Sequence, residues 1–243
     1  MASAHRRANA MTLAQHLVEA RTRFLKCVLA VVALGAAAFA LYPHLLHLLQ
    51  TPYCNASPGH CQFLVTNPLD GITLRFKLSL YGGLLASFPV LLWQLWRFVT
   101  PGLKAKERKY ALPFIFSSLI FFSAGVVVAY VTFNHALAWL ESVGGSQLVT
   151  DYNPNQYLTL FVLMMFIFGL MFEFPVLLVA LQLARVVTPR QLLARWRYAI
   201  IGITIAAAAI TPSSDPFSML ALAIPLAVFY LSLIHISEPT RPY

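Results

Sequence analysis

Six long apolar runs divide this 243-residue chain, and no other feature constrains its folding as strongly. They extend from Phe24 to about Tyr42, Thr73 to Val99, Tyr110 to about Leu140, Tyr157 to about Leu183, Tyr198 to about Ile210 and Phe217 to about Leu231. A hydrocarbon core about 30 Å thick needs roughly 20 apolar residues in a helix, because lipid offers backbone N–H and C=O groups no partner. The runs therefore predict an all-α integral membrane protein with six transmembrane helices. At 1.5 Å per residue the fifth reaches only about 20 Å, and the sixth is also short. Both would need a locally thinned bilayer or support from neighbours. Composition agrees, with 59% hydrophobic and 10% charged residues and a mean hydropathy of +0.73. A soluble domain carries about 45–50% and 25%, so a soluble enzyme, a disordered regulator and a coiled coil are excluded.

The net charge of +9 could suggest nucleic acid, but the placement of the cations assigns it to orientation instead. Arg6, Arg7, Arg21, Arg23 and Lys26 precede or open the first run. Arg97, Lys104, Lys106, Arg108 and Lys109 follow the second, and Arg185, Arg190, Arg195 and Arg197 follow the fourth. The other connections, 44–72, 141–156 and 211–216, hold no Lys or Arg. By the positive-inside rule both termini are expected in the cytoplasm. The N-terminus lacks a cleavable signal pattern, and Thr12 to Arg23 reads as an amphipathic helix on the inner membrane surface.

Ionisable groups within or beside the spans are the informative ones, since a charge at mid-bilayer costs about 2.5–3.5 kcal/mol even on insertion scales. Glu173, in Phe172-Glu173-Phe174-Pro175, is the one acid well inside a long run. It either serves backbone carbonyls freed by Pro175 or offers a polar contact to a substrate, ion or partner helix. Arg75 and Lys77 can snorkel to the outer interface. Pro89, Pro113, Pro175 and Pro225 predict kinks or breaks. Glu19 and Glu107 are the acids of an otherwise cationic face. Each could simply pair with a neighbour, Glu19 with Arg23 at i,i+4 for a few tenths of a kcal/mol. Together they could also form an anionic patch for two guanidinium groups, which meet carboxylates through paired charge-assisted hydrogen bonds. Cys54 and Cys61 lie on the outer segment, where a small disulfide loop is one reading. A metal site with His60 lacks a second ligand pair. Cys27 reads as a small buried hydrophobe. The sequence contains no nucleophile elbow, metalloprotease, Walker or dinucleotide motif, so neither an enzyme nor a cofactor is expected.

Several ordered motifs carry a resemblance. His16-Leu17-Val18-Glu19-Ala20-Arg21-Thr22-Arg23 opens the series, and Phe88-Pro89 leads to Trp96-Arg97-Phe98-Val99-Thr100-Pro101-Gly102-Leu103 and Glu107-Arg108. Phe172-Glu173-Phe174-Pro175 and Thr211-Pro212-Ser213-Ser214-Asp215 follow. In these blocks the chain resembles the TatC family, the multispanning receptor subunit of the twin-arginine protein translocase. The resemblance implies a glove-shaped protein with a concave face and short fifth and sixth helices, in the bacterial plasma membrane. It implies binding of signal peptides that bear paired arginines on folded cargo, with Glu19 and Glu107 as the recognising acids. Single-span TatA- and TatB-type subunits would join in a multimeric complex driven by the proton-motive force, with Glu173 in contact with partner helices or the inserted signal. Ala20 and Met219 depart from the family pattern, which usually has Leu and Gln there. From Ser232 the sequence resembles a translated sequencing adapter, so 1–231 is read as the six-span domain and 232–243 as a non-native tail. A proton-coupled transporter using Glu173 is the alternative reading; inverted repeats, which that class often shows, are not evident.

Overall fold

In the computed structural model of the chain, residues 13–56, 63–65, 67–99, 111–145, 152–183, 186–213 and 215–237 are described. All regular structure among them is α-helical: α1 (Leu13–Ala40), α2 (Tyr42–Ala56), α3 (Asp70–Val99), α4 (Ala111–Gly144), α5 (Pro154–Phe172), α6 (Phe174–Leu183), α7 (Pro189–Ala194), α8 (Trp196–Ile210) and α9 (Pro216–Ser237). Five stretches are long and apolar enough to cross a membrane, with α5 and α6 together forming one of them. The apolar α8 has 15 residues, about 22 Å, and falls short of a full crossing. The stretch in α9, Pro216–His235, is the shortest of the five at 20 residues. The helix continues past Leu231 to Ser237, through the first part of the segment read as a tail.

The segment before the first run is not a separate surface helix. Leu13–Ala40 is one continuous helix, because no Gly or Pro interrupts the passage from Leu13 through Lys26 into the apolar residues. The connection after the first run also holds a helix, α2. In α2, Leu49, Pro52 and Tyr53 are buried while His44 and His47 face outward. Pro52 has no N–H for the carbonyl of Leu48, and the Tyr130 hydroxyl of α4 donates to that carbonyl at 3.0 Å. The Tyr157 hydroxyl of α5 donates to the Leu49 carbonyl at 3.2 Å. Two tyrosines thus fasten α2 to the interior of α4 and the first turn of α5.

The central layer is α4, α5 and α9. Phe133 and Phe161 stack at 4.2 Å, and Leu158, Met164, Phe168, Leu222 and Leu226 are fully or almost fully buried around them. Close approach of α4 and α5 depends on Gly125, beside the backbone of Phe168 and Gly169, and α1 meets α3 through Gly35 and Gly83. Of the four span prolines, Pro175 alone coincides with a break, the turn at Glu173 between α5 and α6. Pro113 falls in the first turn of α4, where the N–H would be unbonded anyway. The helices α3 and α9 run on through Pro89 and Pro225.

Basic residues collect at one end of the bundle, where α1, α4, α7 and α8 start and α3, α6 and α9 finish. At the opposite end Asp70 joins α3 to α5, accepting from Asn155 Nδ2 at 2.9 Å and Asn153 Nδ2 at 3.2 Å. Arg75 does not simply reach for the interface. It donates to the Phe39 carbonyl at 3.2 Å and lies over the Phe39 ring at 4.2 Å, so a cation sits on the carbonyl end of α1.

Candidate functional site

At the basic end, the first turns of α1 run beside the last turns of α3, and an apolar groove of about 490 Å³ opens between them. Phe24 contributes from α1, and Leu91, Leu95 and Phe98 contribute from α3 at i, i+4 and i+7, so that they share one helix face. Gln94 is the polar group on the α3 wall, and the half-buried Cys27 lines the groove on α1.

Arg23 lines the same groove and binds Glu19 one turn earlier on α1. Its Nε donates to Glu19 Oε1 at 3.0 Å, and its Nη2 donates to the same oxygen. The neighbour pairing considered from the sequence is therefore formed. It leaves Glu19 half-satisfied, because Oε2 is buried and has no hydrogen-bond partner among the described residues. With both side chains under one-fifth exposed (16% and 18%), this pair is less screened than a surface ion pair. A carboxylate that accepts through one oxygen while the other is buried can gain a further charge-assisted hydrogen bond.

Glu173 occupies the turn between α5 and α6, on the same half of the bundle. Its N–H bonds the Leu170 carbonyl at 3.1 Å, and its own carbonyl accepts from Leu177 N at 2.9 Å. The buried Ser118 hydroxyl of α4 bonds its carboxyl group, and Oε1 is buried without a partner among the described residues. The side chain thus does not cap the carbonyls that Pro175 leaves free. A second orphan carboxyl oxygen is held inside the bundle instead.

The sequence pattern described as TatC, Sec-independent protein translocase protein, matches residues 15–225. The chain belongs to the TatC family. A Sec-independent protein translocase protein TatC of Frankia casuarinae is 38% identical over 231 residues, covering 90% of this chain and 64% of that protein. The chain therefore spans somewhat under two thirds of that relative's length. A TatC protein of Deinococcus radiodurans is 34% identical, covering 90% of this chain and 82% of the relative. A crystal structure of the twin arginine translocase receptor TatC in DDM superposes with a TM-score of 0.78 at 28% identity, over 92% of this chain and 100% of that one. The six apolar runs are thus the TatC arrangement, five long spans and one shorter apolar helix.

Among the residues singled out from the TatC-like motifs, Glu19 and Glu173 are described and do not touch each other. Glu107 lies outside the described residues, as does Cys61; Cys54 is disulfide-bonded and Cys27 is free. The groove itself was missed. The spacing of Leu91, Leu95 and Phe98 was available, but α3 is apolar around most of its circumference there, and periodicity marks a face only by contrast.

Proposed function

We propose that this TatC-family chain is the core receptor of a twin-arginine translocase. It binds the paired-arginine signal peptides of folded proteins and nucleates a complex with single-span TatA- and TatB-type subunits, driven by the proton-motive force. The chain acts by binding and assembly rather than by catalysis. The observation that carries this reading is the pairing of Glu19 with the groove. A signal peptide that presents two guanidinium groups next to an apolar stretch needs an acid with spare acceptor capacity beside an apolar trough. Glu19, whose Oε2 has acceptor capacity to spare and whose Oε1 binds Arg23 on the groove wall, and the face formed by Phe24, Leu91, Leu95 and Phe98 would supply these.

Incoming arginines would take up Oε2 and compete with Arg23 for Oε1, exchanging one guanidinium for another in similar geometry. That exchange keeps the half-buried carboxylate paired throughout, and leaving it unpaired is the costly alternative. Glu107, on the connection that follows α3, would supply the second acid. Excess Lys and Arg at this end supports its placement in the cytoplasm, where signal peptides arrive. The name twin arginine translocase receptor, borne by the superposed crystal structure, supports the same role.

Photo-crosslinking of a twin-arginine signal peptide to membranes containing the chain tests the proposal. Glu19→Ala and Glu107→Ala are each expected to abolish the crosslink while membrane insertion is unchanged. Unchanged crosslinking in both variants would overturn the assignment.

A further inference from the structure

We infer that α7 and the first turn of α8 form a binding site for the phosphate headgroup of an anionic phospholipid. Local sequence makes this segment a fixed platform rather than a loop. Thr188 caps α7 in a capping box, with Thr188 N donating to Gln191 Oε1 at 3.0 Å and Gln191 N to Thr188 Oγ1 at 3.4 Å. Arg195, at φ −113° and ψ 15°, ends α7 and separates it from α8. The hydroxyl of Tyr230, a residue only 3% exposed in α9, donates to the Leu192 carbonyl at 3.0 Å and ties α7 to the bundle.

The other face of this platform is turned outward. Arg190, Arg195 and Arg197 are exposed, and among the described residues none of the three meets a carboxylate. Leu193 and Trp196 stand between them and Tyr198 follows Arg197, all three exposed and Tyr198 78% accessible, and Arg197 lies 5.4 Å from the centre of the Trp196 ring. Indole and phenol rings favour the boundary between headgroups and acyl chains, and guanidinium binds phosphate through paired hydrogen bonds.

The length of α8 decides which anion fits. Its 15 residues cover about 22 Å, so a bilayer about 30 Å thick cannot keep both helix ends at its surfaces without thinning. Guanidinium groups drawn toward the hydrocarbon in this way are stabilised by phosphates that follow them inward. A soluble anion would gain nothing from Leu193, Trp196 and Tyr198. A lipid places its phosphate on the arginines and its acyl chains beside those rings.

A phosphatidylglycerol carrying a photoreactive group near its headgroup, and the matching phosphatidylcholine, test the site on the full chain in nanodiscs. Residues 190–198 are expected to be labelled by the anionic probe at least tenfold more than by the zwitterionic one. The preference should fall about fivefold for each of Arg190→Gln, Arg195→Gln and Arg197→Gln, on the contribution of one basic residue at an anionic surface. The single variants keep the test readable if the triple variant fails to fold, and wild-type labelling depends on no variant. Equal labelling by the two probes, anionic adducts concentrated outside this segment, or displacement by inorganic phosphate at equal concentration would overturn the inference.

Discussion

Gly125→Val is expected to prevent stable assembly of the bundle. A Cβ at Gly125 would stand 2.5 Å from the Phe168 carbonyl oxygen, 2.8 Å from its carbon and 2.9 Å from Gly169 Cα. All three are backbone atoms of α5, so no side-chain rotation relieves the clash and α4 must move away. That movement loosens the stack of Phe133 on Phe161 and the packing of the fully buried Ala129. A gap of 0.5–1 Å already forfeits a quarter to a half of each dispersion contact. The cost is expected at or above the upper end of the roughly 1–3 kcal/mol typical of overpacking. Thermal unfolding in detergent reads it directly. Gly202, with nothing within 4 Å of its added Cβ, is the control, and Gly202→Ala should melt at or slightly above wild type. Wild-type melting of Gly125→Val would show that the approach of α4 to α5 is looser than described.

Glu173→Leu is expected to separate stability from function. Wild-type Glu173 holds Oε1 buried without a partner among the described residues, so the native carboxyl group carries a desolvation cost that the Ser118 hydroxyl offsets only in part. A leucine removes that cost and forfeits the Ser118 hydrogen bond, two effects of opposite sign and similar size. Unfolding in detergent should therefore be little changed. Co-purification of a single-span TatA- or TatB-type subunit, or crosslinking of an inserted signal peptide, should be lost, because we propose that the orphan oxygen contacts a partner helix or the inserted signal. Loss of both properties together would assign Glu173 a structural role, and retention of both would leave the residue without one in assembly.

The membrane architecture was legible because lipid leaves few choices. Six apolar runs correspond to five long spans and one shorter helix, and the shortness of α8 followed from counting residues between Tyr198 and Ile210. The break at Glu173 was legible as well, since Pro175 deletes a backbone donor within an otherwise unbroken run. Pro89 and Pro225 show the limit of that rule, because α3 and α9 accommodate them without a break. The continuation of α2 through Pro52 to Ala56 was not legible because its stability is not local. Its carbonyls at Leu48 and Leu49 are bonded by Tyr130 and Tyr157, which lie 82 and 108 residues away. At the candidate site, the motif pointed to Glu19 and the helical spacing pointed to Arg23. The orphaned oxygen and the adjoining groove required the packing of α1 against α3, which no pattern within either helix records.

In the proposed complex, Glu19 and the groove beside it receive one continuous ligand, a guanidinium pair followed by an apolar segment. A photoreactive amino acid in place of Leu95, on the groove wall, measures this directly when a signal peptide is added. Adducts are expected on the apolar segment of a paired-arginine peptide, and they should disappear both with Glu19→Ala and with a peptide whose two arginines are replaced by glutamine. Equal labelling of the arginine and glutamine peptides, unchanged by Glu19→Ala, would contradict the proposed complex.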